Sequence, residues 1–196
     1  MIKDDRQVPS SVGLGVLVDA EGMEWCESMK LFVITGTCGA GKSTMKDLLA
    51  ERLNGARFAC IDSDEVGLNW WDYAGTEKES KYGEDTLRKA VKMAGDKDLV
   101  FVSCLNPLDF FQKVDAPPEI DASFFIALCP SDEEIERRLK ARPAERGFTS
   151  DEIIRPHIEY NAWFRRNRSK FQLFINNTEL SEEDTAEKIR NFVERR

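Results

Sequence analysis

Residues 36–43 read Gly36-Thr-Cys-Gly-Ala-Gly-Lys-Ser43 and match the pattern GxxxxGK(S/T) at every defined position. They follow a short β-branched run, Leu31-Phe-Val-Ile-Thr35, and precede apolar residues at helical spacing that include Met45 and Leu49. The glycines allow a tight turn that points successive N–H groups inward, and a helix adds its positive N-terminal end. This context predicts a phosphate-binding loop between a buried strand and a helix.

The loop contains the groups that a magnesium nucleotide requires. Lys42 is placed to reach the β- and γ-phosphates, and the hydroxyl of Ser43 is a ligand for Mg²⁺. We therefore predict that ATP and Mg²⁺ bind at this loop. The predicted nucleotide-binding residues within it are Gly36, Thr37, Cys38, Gly39, Ala40, Gly41, Lys42, Ser43 and Thr44.

The rest of the chain alternates short apolar runs with amphipathic segments. This order predicts an α/β fold with a parallel sheet covered by helices on both faces. Capping boxes at Ser131-x-x-Glu134 and Thr149-x-x-Glu152, and a similar cap at Ser181, predict helix starts, and Gly55 predicts a helix end. The predicted strands are residues 31–35, 57–61, 99–104, 122–128 and 171–175.

Composition excludes several classes of protein. A chain of 196 residues has the length of one α/β domain, and no apolar run approaches the ~18–20 residues of a membrane span. The N-terminus lacks the clean positive flank of a signal peptide, so we expect a cytoplasmic protein with no membrane partner. Five cysteines without paired spacing and a single histidine, His157, indicate no zinc site, disulfide framework or Ser-His-Asp triad.

The first 28 residues differ from the rest in pattern. They lack helical periodicity and are typical of either a marginal hairpin or a disordered arm. We treat residues 1–28 as an N-terminal extension of a domain that spans residues 29–196. For the oligomeric state, a monomer and a homodimer both remain open.

Charge is distributed unevenly along the chain. The net charge of −8 argues against general nucleic-acid binding. Residues 137–170 nevertheless hold ten basic and four acidic side chains, a net charge of +6. Such a window is typical of a solvated helical face when it is considered alone.

An acidic motif, Ile61-Asp62-Ser63-Asp64-Glu65, follows the second predicted strand. With the loop and the basic window, it resembles the nucleotide- and nucleoside-kinase-like branch of P-loop proteins, which includes gluconate kinase, adenylylsulfate kinase and chloramphenicol phosphotransferase. The resemblance covers about residues 30–196, and only the loop is highly specific. It implies a three-layer P-loop NTPase fold whose five-stranded parallel sheet has the order 2-3-1-4-5, with a short lid.

The resemblance implies roles for the two aspartates. Ligands of open α/β sheets bind beyond the carboxyl ends of the strands, which places the motif near the γ-phosphate. Asp64 would accept or orient the acceptor hydroxyl, and Asp62 would position Mg²⁺ through water. Ser63 replaces the glycine of the related D-G-D element, and Gly67 stands where relatives often carry Arg or His, so their acceptor contacts do not transfer. A solvated turn is the alternative interpretation.

The resemblance also implies a basic lid at about residues 138–148 and an adenine-side loop after the fifth strand. Arginines that close over a triphosphate stabilise the charge that develops in phosphoryl transfer. Arg138 and Arg142 are the first candidates, with Arg146 third, and Asn177 is the candidate beside the base. The predicted catalytic residues are therefore Lys42, Asp64, Asp62, Arg138 and Arg142.

These features favour an ATP-dependent kinase whose partner is a small-molecule hydroxyl acceptor, nucleoside-, sugar- or antibiotic-like. A nucleoside monophosphate kinase is one alternative, but residues 62–86 hold eight acidic side chains against two lysines, which disfavours a second phosphate. A nucleotide-binding switch or NTPase without an acceptor is another, and a polynucleotide 5′-kinase a third. Trp70, Trp71 and Tyr73 are candidates for stacking on the acceptor.

Overall fold

The computed structural model describes residues 28–196, which form one five-stranded sheet with helices on both faces. The extension predicted over residues 1–28 lies outside this range apart from Ser28. The strands are β1 (Met29–Thr35), β2 (Phe58–Asp62), β3 (Asp98–Val102), β4 (Ile120–Leu128) and β5 (Leu173–Ile175). The helices are α1 (Lys42–Arg52), α2 (Tyr82–Ala94), α3 (Pro107–Lys113), α4 (Asp132–Lys140), α5 (Asp151–Arg166) and α6 (Glu182–Glu194).

The sheet has the strand order β2-β3-β1-β4-β5, and all its neighbouring strands are parallel. Leu31 in the central strand β1 lies opposite Leu99 of β3 on one side and Ser123 of β4 on the other. This is the order 2-3-1-4-5 that the resemblance implies, and the prediction is confirmed. From β1 the chain passes to β2 and β3 on one side of the sheet and then to β4 and β5 on the other side. The carboxyl end of β1 therefore lies at the topological switch point, where ligands of such sheets bind.

Alternate residues of β1 point into two separate cores. Leu31 and Val33 pack in the core that includes α2 and α3, whereas Phe32 and Ile34 pack in the core that includes α1 and α6. All four side chains are fully buried. Fully burying an apolar side chain of this size contributes about 1.5–3 kcal/mol, which accounts for the nearly continuous apolar run at the centre of the sheet.

The helices predicted at Ser131 and Ser181 begin with the predicted caps, whereas the cap predicted at Thr149 is wrong. The hydroxyls of Ser131 and Ser181 accept hydrogen bonds from the backbone N–H groups three residues later, at 3.2 and 3.0 Å. Helix α5 instead begins after Ser150, without a side-chain cap, so Thr149 caps nothing. The predicted helix end at Gly55 is also wrong, because α1 ends at Arg52 with Leu53 as its C-cap.

Helix α3 was not predicted from the sequence. Asn106 caps it through a hydrogen bond from the backbone N–H of Asp109 (3.0 Å), and Pro107 occupies its first turn. An Asn-Pro pair a few residues after a strand is a helix-start signal, but seven residues are too few to show a helical period. None of the helices within residues 28–196 is both long and apolar enough to cross a membrane.

Candidate active site

The loop between β1 and α1 needs glycine for two different reasons. A Cβ atom on Gly36 would lie 2.5 Å from the carbonyl oxygen of Leu128 in β4, so only glycine lets the loop pass so close to that strand. Gly41 precedes α1 with φ 99° and ψ 17°, a left-handed conformation that strains other residues. These two positions shape the loop that joins the central strand to the helix.

Backbone donors of the loop remain available for a ligand. Helix α1 begins without a side-chain cap, and within residues 28–196 no hydrogen bond uses the backbone N–H groups of Gly39, Gly41 or Lys42. Unpaired N–H groups at a helix N-terminus favour an anion, because the helix dipole adds to their own partial charges. The loop therefore has the donors that a phosphate needs.

Lys42 folds back over this loop. Its ammonium group donates to the carbonyl oxygens of Gly36 (2.9 Å) and Thr37 (3.1 Å). The hydroxyl of Thr37 in turn donates to the carbonyl oxygen of His157 in α5 (2.9 Å), which ties the loop to that helix. The charge of Lys42 thus lies directly beside the free loop donors, where a phosphate oxygen can take the place of the carbonyls.

Asp62 joins the acidic motif to the loop. It is buried, with 7% exposure, and one oxygen accepts a hydrogen bond from the Ser43 hydroxyl at 2.9 Å. The other oxygen accepts from the backbone N–H of Asp64 at 3.1 Å and caps the turn Ser63–Glu65. Glu65 completes the cap by accepting from the Asp62 backbone N–H, and its hydrogen bond with Lys46 lowers the pKa of its carboxyl group.

The donor set at Ser43 and Asp62 fits Mg²⁺. Magnesium usually takes one or two protein oxygens and completes its octahedron with phosphate oxygens and water. A hydroxyl and a carboxylate 2.9 Å apart at the end of the phosphate loop supply oxygens of this kind. The described part of the chain contains no group of three or more His, Cys, Asp or Glu side chains placed to hold a metal ion.

Asp64 points toward a different part of the molecule. Its carboxylate is exposed, and none of the described residues forms a hydrogen bond or ion pair with it. It lines a cavity of about 420 Å³ that we call the inner cavity. Other residues around this cavity are Ser63, Trp70, Tyr82, Leu105 and Asp109.

The inner cavity lies beside the carboxyl ends of β2 and β3. Ser103, directly after β3, and Ser63, directly after β2, both line it. Burial and then the charge of Asp64 raise the pKa of Tyr82, which keeps that hydroxyl protonated. The two aspartates of the acidic motif are therefore divided, Asp62 toward the phosphate loop and Asp64 toward the cavity.

Arg138 contacts the phosphate loop from helix α4. Its guanidinium donates to the carbonyl oxygens of Gly39 (3.3 Å) and Ala40 (3.4 Å) and to that of Asn177 (3.4 Å). Glu134 accepts from its Nε, and hydrogen bonds from Arg137 and Arg138 lower the pKa of Glu134 to about 2. Arg138 is thus a fixed helical residue, so a mobile lid would begin after α4.

Asn177 lies on the same side of the loop. Its amide Nδ2 donates to the carbonyl oxygen of Ala40 at 3.0 Å, and its buried Oδ1 has no partner among the described residues. The structure therefore brings Lys42, Ser43, Asp62, Arg138 and Asn177 together around one loop. Trp71, proposed as a stacking residue, is instead 78% exposed and lines neither the inner cavity nor the loop.

Arg142 and Arg146 are not at the loop. Both are exposed between α4 and α5, and the Arg142 guanidinium lies over the Phe148 ring at 5.1 Å. That ring contacts the imidazole of His157, with 5.4 Å between centroids. Burial, followed by the nearby charges of Lys42 and Arg142, lowers the pKa of His157. Arg142 is thus connected to α5 through Phe148 and His157, and no hydrogen bond of the described residues joins it to the loop.

Tyr82 and Asp109 line the inner cavity but were not predicted from the sequence as site residues. Asp109 belongs to the unpredicted helix α3, and its carboxylate accepts from the Asn106 amide at 2.6 Å. Tyr82 is the first residue of α2. The Asn106-Pro107 pair is the one sequence signal that indicates a helix beside the end of β3.

A parallel sheet of order 2-3-1-4-5, with a GxxxxGK(S/T) loop between its central strand and first helix, defines a P-loop protein. A family model described as an AAA domain matches residues 33–155. The chain therefore belongs to this family of P-loop domains. A search of curated proteins gives no match to the sequence.

Solved structures of small-molecule kinases share the fold. Shikimate kinase from Bacteroides thetaiotaomicron is 20% identical with a TM-score of 0.57, and the match covers 85% of this chain and 98% of that one. Deoxyadenosine kinase from M. mycoides is 20% identical with a TM-score of 0.53, covering 85% and 99%. A gluconokinase from Sinorhizobium meliloti is 15% identical with a TM-score of 0.57, covering 86% and 93%.

Proposed function

We propose that this protein is a kinase that transfers the γ-phosphoryl group of ATP to a hydroxyl group of a small molecule. The observation that carries the proposal is the division of the acidic motif. Asp62 is bonded to Ser43 of the phosphate loop, and Asp64, two residues later, lines the inner cavity. A carboxylate between a phosphate site and a cavity of small-molecule size has the position that an acceptor-activating base requires.

Each residue of the site has a defined task in this proposal. The loop N–H groups and Lys42 hold the β- and γ-phosphates, and Arg138 and Asn177 hold the loop and flank the nucleotide. Asp64 orients the acceptor hydroxyl and takes its proton as the oxygen bonds to the γ-phosphorus. The bond from that phosphorus to the β,γ-bridging oxygen breaks, and ADP leaves. Ser43 and Asp62 would hold Mg²⁺, which would neutralise charge on the phosphates.

An NTPase without an acceptor is the second candidate, because the matching family is described as an AAA domain. The inner cavity argues against it, since hydrolysis of a nucleotide needs no second cavity of small-molecule size beside the carboxylate. A nucleoside monophosphate kinase is disfavoured because no basic side chain lines this cavity among the described residues. A monomer and a homodimer are both compatible with the proposal.

The test is to measure ADP formation from Mg·ATP with and without a panel of nucleosides, sugars and antibiotics. We expect at least one acceptor to raise the rate and to appear as a phosphorylated product by mass spectrometry. Free phosphate should then rise less than ADP, because the phosphoryl group ends on the acceptor. Equal release of ADP and phosphate with every compound would instead identify an NTPase.

A second expectation concerns the connection between α4 and α5, at residues 141–148. We expect this lid to close when nucleotide binds, moving Arg142 from the Phe148 ring toward the triphosphate. Hydrogen exchange across the lid should fall on addition of Mg²⁺ and a non-hydrolysable ATP analogue. Arg142→Ala should lower kcat by roughly 10²–10³-fold and weaken nucleotide binding less, because the contact strengthens in the transition state.

The matched control for the lid is Arg155→Ala, which removes an exposed arginine of α5 whose ionic partner is Glu159. It should leave kcat and exchange unchanged. If the lid exchanges equally with and without nucleotide and Arg142→Ala keeps a normal kcat, the basic window is a solvated face.

A further inference from the structure

We propose that the acceptor is a hydroxyl compound that carries at least one ammonium group. The inference rests on the proposed kinase function and adds the chemical class of the acceptor. It follows from three features of the acceptor side, namely the charge around the inner cavity, the charge of the cavity that adjoins it, and an aromatic cluster between them.

The inner cavity carries negative charge without compensation from its own lining. Asp64 and Asp109 are its two ionisable acids, and no lysine, arginine or histidine of the described residues lines it. Asp64 also has no ionic partner elsewhere in that part of the chain. A carboxylate or phosphate on the acceptor would face these two carboxylates at close range, which is unfavourable.

A second cavity, of about 650 Å³, adjoins the inner one, and its charged side chains are also mostly acidic. We call it the outer cavity, and it shares Trp70, Leu105 and Asp109 with the inner one. Its own charged side chains are Glu77, Glu79 and Lys113. The two cavities together therefore present four carboxylates and one ammonium group to an acceptor.

Lys113 is already paired with an acid of its own helix. Its ammonium group is paired with one oxygen of Asp109 at 2.6 Å, and the amide of Asn106 donates to the other oxygen at 2.6 Å. An anion would have to draw Lys113 away and leave Asp109 facing it. An ammonium group on the acceptor would instead be attracted, because Asp64 offers an unpaired carboxylate and Glu77 and Glu79 add further negative charge.

Aromatic rings supply the remaining component of an amine site. Trp70 is 40% exposed and lines both cavities, and its ring packs edge-on against Tyr82 with 5.2 Å between centroids. Tyr73 supports Tyr82 from another side at 5.1 Å. Aromatic faces attract cations through their negative π-density, and together with carboxylates they form the usual surroundings of a bound ammonium group.

The test compares acceptors that share a skeleton and differ in charge. One triple is glucosamine, glucose and gluconate, and a second, with an aromatic ring, is phenylalaninol, phenylpropanol and phenyllactate. Binding to the full chain is measured by calorimetry in the presence of Mg²⁺ and a non-hydrolysable ATP analogue, and phosphorylation is measured with Mg·ATP. In at least one triple the amine should bind about 10- to 100-fold more tightly than both partners, the loss expected for one charge-assisted hydrogen bond.

Asp109→Asn is the matching variant. It removes a charge from both cavities and frees Lys113, so the preference for the amine over the acid should fall by about tenfold or more. Asp96→Asn, an exposed site after α2, removes the same charge elsewhere and should preserve the preference.

The outcomes separate the two proposals. If in neither triple the amine binds more tightly than both partners, or if Asp109→Asn leaves its advantage unchanged, the amine proposal is overturned. Phosphorylation of an acid or neutral acceptor in preference to its amine would overturn it too, yet would support the kinase function. Nucleotide hydrolysis without transfer to any acceptor would overturn both the kinase proposal and the amine proposal.

Discussion

Lys42→Ala is expected to abolish ATP turnover while the protein stays folded. The ammonium group of Lys42 is bonded to two carbonyl oxygens of the loop and lies beside N–H donors that no described residue uses. Removing one preorganised donor to a developing charge commonly lowers kcat by about 10²–10³-fold, and here the donor is also a full charge. Steady-state ADP formation, together with the thermal midpoint without nucleotide, measures both effects.

Lys92→Ala is the matched control for this change. Lys92 is an exposed residue of α2, and its replacement removes the same side chain and charge at a distance from the loop. Its turnover should equal that of the unaltered protein. Unchanged turnover in Lys42→Ala, by contrast, would rule out the phosphate-loop interpretation and the kinase proposal with it.

Asp64→Asn should leave the fold and nucleotide binding intact and stop transfer to the acceptor. The substitution keeps shape and volume, and the Asp64 side chain has no partner in the described residues whose loss would unfold the turn. A positioned general base contributes about 10²–10⁴-fold in rate, so kcat should fall within that range. Phosphorylation of the best acceptor is the measurement, with nucleotide affinity measured beside it.

Asp62→Asn should behave differently because Asp62 is buried and bonded to Ser43. We expect a raised Mg²⁺ requirement and a lower thermal midpoint, since a buried partner of that hydrogen bond is altered. Asp121→Asn, exposed at the opposite end of the sheet, is the charge control and should be neutral. Near-native kcat in Asp64→Asn with a collapse in Asp62→Asn would show that the two roles are reversed.

Much of the fold was predictable because its signals are local. The phosphate loop depends on glycines and a lysine that are neighbours in the chain, and the buried strand and helix beside it show their own periodicity. Strand limits differ from the prediction by only a few residues. The wrong helix end at Gly55 and the wrong cap at Thr149 each lie within two residues of the observed cap, a range over which helix boundaries are poorly defined.

The candidate site was predictable in part. Asp62 and Asp64 were identified as a pair, but their separation into a loop-facing and a cavity-facing carboxylate depends on the turn Ser63–Glu65 and on the bond to Ser43, 19 residues away. Arg138 and Arg142 were also predicted to share one role, as arginines of the lid. In the structure Arg138 is held on the phosphate loop and Arg142 lies on Phe148.

The remaining features come from contacts between distant parts of the chain. Arg138 meets Gly39 across 99 residues, and Asn177 meets Ala40 across 137. The inner cavity likewise combines the end of β2, the start of α2 and the helix after β3. No periodicity or motif records such neighbours, because they are brought together by the packing of helices on a twisted sheet. The phosphate loop therefore depends on consecutive residues, whereas the inner cavity forms only when the helices have packed on the sheet.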